Sequence, residues 1–271
     1  MYSGTTFRTK SGRVMGVHQK IDRVARRHIE THIPKKLAFP TIQEILHFEG
    51  LNGPDGIKRK SPGKDEPWHY IDPKNPDDRA IVDMIKDHIF NMSRALHSNN
   101  RTRAAYEAAW MAHAIVDGLT PAHHYPLEEK LEELRGGEGL ETRITTKDKL
   151  LLPGINRRQQ VRNNWEYWGA KGVMTTHLAF ELGVATSIAP LRFEDTMPSI
   201  DDFARVSRDG FETIYLDTLY QIADMNMYEQ FGRLGWTRDL ARASRVVLVP
   251  EIIKAVTLGW YQAIIMAKQS A

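Results

Sequence analysis

Residues 101–124 read Arg101-Thr-Arg-Ala-Ala-Tyr-Glu-Ala-Ala-Trp110-Met-Ala-His113-Ala-Ile-Val-Asp117-Gly-Leu-Thr-Pro121-Ala-His123-His124. The first seventeen positions carry no helix breaker and many alanines, which predicts a helix over Arg101–Gly118 that its neighbours can approach closely. His113 and Asp117 stand four apart and therefore share one face, within reach of one ion. Thr120-Pro121 ends the helix and puts His123 on the turn beyond it, near a second ion. Imidazole beside carboxylate suits zinc. A buried His113 hydrogen-bonded to Asp117 is the plainer reading of the pair alone.

Working outward, helical periodicity dominates. Val14–Ile33 spaces Val17, Ile21, Val24 and Ile29 at helical intervals, and Pro34 stops it. Thr41–Phe48 is a short helix with Thr41 as cap and Glu44 three residues on. Residues 49–78 read as one long loop rich in Gly, Pro, Lys and Asp, holding Trp68, His69 and Tyr70. A loop of this length within a compact domain is usually functional. Helices are expected at Asp78–Leu96, Leu127–Leu134 and Arg157–Leu182, with further helices within Pro198–Gly235 and Arg238–Lys268. No segment alternates as a strand, and no repeat is visible. The expected fold class is all-α, one multi-helix domain over residues 1–271, with the 49–78 loop reaching the site.

With 41% hydrophobic and 26% charged residues, the chain is ordinary for a soluble protein with a sizeable core. A net charge of +3 rules out a polycation, although basic residues gather between Arg8 and Lys36 and could face phosphate or an anionic membrane. No cysteine is present, so neither disulfides nor thiolate zinc sites arise. Val246–Ala267 is the most apolar stretch, but Pro250, Glu251 and Lys254 interrupt it, which reads as a buried or interfacial helix rather than a span. Met1–Arg13 lacks the apolar core of a signal peptide, so the cytoplasm is the expected compartment, with secretion if the chain is a processed form.

A second pair strengthens the metal reading. In Thr175-Thr-His177-Leu-Ala-Phe-Glu181, imidazole and carboxylate again stand four apart among core-facing neighbours. Buried together they need a partner, and a cation supplies one. The loop adds Asp55 and His69; His18 sits on the apolar side of the first helix, one turn before Asp22. His124 competes with His123, and the motif spacing favours His123.

Taken in order, His18, Asp55, His69, His113-x3-Asp117-x5-His123 and His177-x3-Glu181 resemble the zinc-dependent bacterial phospholipase C and single-strand-specific nuclease superfamily. The resemblance spans roughly residues 14 to 182 by motif order. It implies an all-helical fold, two to three Zn2+ ions at the bottom of a cleft, and phosphodiester hydrolysis. By that likeness Asp55, His69, His113 and Asp117 hold one zinc, and His123, His177 and Glu181 a second. Asp117 bridges to a third, shared with His18 and the amino terminus. Two departures stand out. No Trp precedes His18, with Met1 seventeen residues upstream, and Gly56 rather than an aromatic follows Asp55.

The implied chemistry is a water shared by two zinc ions, deprotonated near neutral pH and aimed in line at phosphorus, with the ions neutralising charge on the phosphoryl oxygens. Asp55 is either a zinc ligand or the catalytic base. The expected substrate is a phospholipid, with single-stranded nucleic acid as the alternative and a peripheral membrane contact in view; no protein partner is inferable. A non-catalytic helical metal-binding domain is the remaining reading. None of the 11 histidines precedes an Asp, which removes the His-Asp doublet phosphohydrolases, and no serine-hydrolase, P-loop or dinucleotide motif occurs.

Overall fold

The computed structural model describes residues 1–2, 16–60 and 68–269. The expected helix start at Val14, basic residues Arg8 and Arg13, and loop residues 61–67 lie outside the described residues. The fold is all-α, with no strand among the described residues.

Six helices build the frame around the site: α1 (Val17–Ile29), α2 (Ile42–His47), α3 (Pro54–Lys60), α4 (Ala80–His97), α5 (Arg101–Gly118) and, later in the chain, a long helix at Val249–Gln269. The alanines of α5 allow the close approach expected of them. Ala104, Ala105, Ala108, Ala109, Ala112 and Ala114 are all buried, with α4 and the long C-terminal helix packed against them. Trp260 of that C-terminal helix is fully buried, and its indole N–H donates to the Ala108 carbonyl at 3.0 Å, so burial leaves no polar atom unpaired. That helix and the segment before it are long and apolar enough to cross a membrane, but 67% of the most apolar window is buried in the core.

The α2 helix begins as its sequence predicts. Thr41 and Glu44 form a reciprocal capping box, and the side chain of Glu44 also accepts from Arg101, pinning α2 to the start of α5.

Two expectations need correction. The 49–78 loop is not structureless: Gly50–Asn52 forms a 3-10 turn and α3 follows it. Pro54 suits the first helical position and Asp55 its positive end, a start signal concealed by the loop-like composition around it. The single helix expected over Arg157–Leu182 is two, α8 (Arg157–Trp168) and α9 (Val173–Ile188), where α6 (Leu127–Leu134) and α7 (Thr146–Leu150) precede them. Gly169 makes the break: a Cβ there would stand 2.4 Å from the Trp165 carbonyl oxygen, so only glycine permits the turn.

Between α9 and the long helix lie α10 (Ile200–Asp209), α11 (Phe211–Asp224), α12 (Met227–Leu234) and α13 (Arg238–Ala243), making the C-terminal helix α14. One large apolar core joins α1, α4, α5, α9, α11 and α14. A smaller core of Tyr70, Leu127, Leu131, Leu134, Leu152 and Tyr167 sits under α6 and α8.

Candidate metal centre

Six segments, α3 with Asp55 among them, bring imidazoles and carboxylates to one cluster. From α5 come His113 and Asp117, each about 2% exposed, with His113 Nε2 3.2 Å from Asp117 Oδ2. The 3-10 turn Pro121–His124 carries His123 back under the helix end. Its Nδ1–H donates to the His69 carbonyl at 2.7 Å, which leaves Nε2 facing Glu181 Oε1 at 3.1 Å. His177, one turn before Glu181 on α9, places Nε2 3.0 Å from the same oxygen. His69 reaches Asp117 Oδ2 through Nδ1 at 2.7 Å. From α1, His18 stacks on His113 with ring centroids 4.2 Å apart, its Nε2 3.3 Å from Asp117 Oδ1.

The sequence-predicted residues therefore converge. Their donor atoms form three sets, the first two sharing His113: His18, His113 and Asp117; Asp55, His69 and His113; His123, His177 and Glu181. Within each set the atoms lie within 4.8 Å of one another. Asp55 is the loosest member, its Oδ1 3.8 Å from His113 Nε2 and its side chain 30% exposed where the others are buried. His124 turns away, its Nε2–H donating to the Gly118 carbonyl at 2.9 Å.

Met1 also reaches the cluster. Its amino nitrogen lies 2.7 Å from Asp117 Oδ1 and 3.4 Å from Glu181 Oε1, and its carbonyl oxygen 2.7 Å from His18 Nε2. Seventeen residues of separation from His18 thus do not keep the first residue away.

Three further groups escaped sequence reasoning. Glu49, buried, accepts a hydrogen bond from His113 Nδ1–H at 3.0 Å. Tyr70 stacks on the His123 ring at 5.2 Å. Asp22 is buried with neither carboxylate oxygen hydrogen-bonded. A signal existed for Asp22, because His18-x3-Asp22 repeats the spacing of His113-x3-Asp117. None existed for Glu49, whose contact spans 64 residues.

Electrostatics follow from the packing. Burial alone would raise the carboxyls of Asp117 and Glu181, yet the Met1 amino group and the surrounding imidazoles hold both well below their ordinary range. Burial works against the Met1 ammonium, but Asp117 and Glu181 raise it from 8.0 to about 10. His69 is pushed down to about 3, by burial first and then by Lys58. His113 goes the other way: Glu49 and Asp117 outweigh burial and raise it well above 6.5. Asp22 is raised well above its ordinary value by burial and by nearby Glu49.

The donor set fits a cation. His69 Nε2 and His113 Nε2 are buried with no hydrogen-bond partner, although each ring's other nitrogen is held by a carboxylate. An imidazole anchored at one nitrogen and orphaned at the other, among carboxylates kept ionised, is the arrangement of a metal ligand. These buried groups could hold a metal ion. No protein-family model, curated protein or solved structure matches this chain.

Proposed function

We propose that this chain is a zinc-dependent phosphodiester hydrolase of the phospholipase C type. The observation that carries the reading is Asp117. Around its two oxygens stand His18, His69, His113, His123 and the Met1 amino group, so three adjoining donor sets share or border one carboxylate. Adjoining cation sites bridged by a carboxylate suit in-line displacement at phosphorus, where charge develops on several oxygens together. Imidazole nitrogens with carboxylates, and no thiolate, favour zinc among the common cations.

When bound, zinc supplies Lewis acidity toward phosphoryl oxygens and lowers the pKa of water. The chain's own groups do the rest. Glu49 and the His69 carbonyl fix the rings of His113 and His123 so that Nε2 of each faces the cluster. The buried floor keeps bulk water from the donor atoms. Asp55, part-exposed and held ionised because His113 and His69 outweigh its burial, marks the side open to substrate and offers Oδ1 to accept a proton from an attacking water.

A nuclease reading draws on one observation: Trp68, 37% exposed and adjacent to His69, offers an indole face on which a base can stack. The test is metal content of the purified chain followed by turnover on phosphatidylcholine and on single-stranded DNA. Zinc bound at two or more per chain with diacylglycerol release is expected. A metal-loaded chain that cleaves neither substrate overturns the hydrolase reading, and DNA cleavage alone replaces the lipid by the nucleic acid.

A further inference from the structure

We infer that residues 150–168 form a docking surface for an anionic lipid bilayer. In α8, Val161, Trp165 and Trp168 follow one another at helical spacing on the outer face, 69%, 72% and 38% exposed. The preceding connection adds Leu150, Leu151 and Ile155, at 51%, 48% and 92%. These six do not belong to a loose tail. Trp168 donates its indole N–H to the Leu150 carbonyl at 2.8 Å, and the inner face of α8 is anchored by Asn163, whose amide donates to the carbonyls of Leu134 and Pro153. An apolar surface held out by a fixed scaffold costs solubility, and such surfaces mark interaction sites.

Charge decides the occupant. Residues 150–168 contain three cations, Arg157, Arg158 and Arg162, against one anion, Glu166, hence a net +2. Glu166 is already engaged, sharing the Lys130 ammonium with Glu133 of α6. A second copy of the chain would set one positive face against another. A nucleic acid would match the cations but leave the leucines and Ile155 without stacking partners. A bilayer with anionic headgroups satisfies both halves: indoles settle at the headgroup level, aliphatic side chains enter the acyl boundary, and arginines meet phosphates. The surface lies on the outside of the small core that includes Tyr167 of α8 and Tyr70, the residue stacked on His123. The inference is independent of what the metal centre does.

The 271-residue chain is mixed with vesicles of phosphatidylcholine alone and of phosphatidylcholine with phosphatidylglycerol; co-sedimentation and tryptophan emission are read. Binding to the anionic vesicles, a blue shift, and weakening by salt are expected. The pair Arg157→Glu and Arg158→Glu should lower partition by at least about tenfold, and Trp165→Ser with Val161→Ser should remove the blue shift. All four positions are exposed, so circular dichroism should match wild type; if the apolar variant misfolds, the charge variant decides. Equal affinity for neutral and anionic vesicles overturns the proposal, as does absence of binding. So does self-association without vesicles, or binding confined to a single-stranded oligonucleotide.

Discussion

His113 Nδ1 and Glu49 Oε1 lie 3.0 Å apart although 64 residues separate them in the chain, and both side chains are buried. Glu49 thereby fixes which nitrogen of His113 faces the cluster. Glu49→Ala should weaken zinc binding about 10- to 100-fold, measured by competition with a chromogenic chelator. Glu49→Gln keeps an acceptor oxygen and should restore most of the affinity. Unchanged affinity in the alanine variant would show that the bond is incidental.

His113 belongs to two of the three donor sets, whereas His177 belongs to one. Metal per chain, read by elemental analysis after dialysis, should fall further in His113→Ala than in His177→Ala. Hydrolysis should be lost in the former. Equal stoichiometry in the two variants contradicts the sharing of His113.

The pH dependence of the metal-free chain has a definite sign. His69 is depressed from 6.5 to about 3, so its contribution to stability is complete above pH 6.5 and lost as pH falls toward about 3. Asp117 and Glu181 are also depressed, and their contributions persist until pH drops below the ordinary carboxylate range. His113, raised, works oppositely: its contribution is present below pH 6.5 and lost as pH rises through its elevated value. Between pH 6.5 and 4.5 His69 makes stability fall with acid in urea denaturation, opposed by Asp22, whose raised carboxyl takes up its proton first in the folded chain. His69→Gln should flatten that slope by up to about 1.4 kcal/mol per pH unit. An unaltered slope in the variant would remove His69 from the account.

Gly118 closes α5 directly beneath Tyr215. A Cβ at 118 would stand 2.0 Å from the buried Tyr215 hydroxyl oxygen. Gly118→Ala should cost about 1–3 kcal/mol of stability, and combination with Tyr215→Phe should recover part of it by removing the clashing oxygen. Full stability in the single variant would mean the α5–α11 contact is looser than described.

Much of the fold was legible in the sequence because it is written locally. The 3.6-residue period, the Thr41–Glu44 box and Pro121 act over a few residues, and α2, α5 and α6 lie within a residue or so of their expected limits. The α3 helix was hidden because Pro54 and Gly56 mimic a loop. Likewise the break at Gly169 depends on how closely Trp165 approaches.

By itself the sequence determined an all-α chain and put His113 with Asp117, and His177 with Glu181, on common helix faces, since four residues make about one turn. Tertiary structure decided that the two pairs meet within ångströms of one another, that Glu49 joins them, and that a first residue seventeen positions before His18 still reaches Asp117. Those outcomes depend on packing between segments tens of residues apart, which no local period encodes.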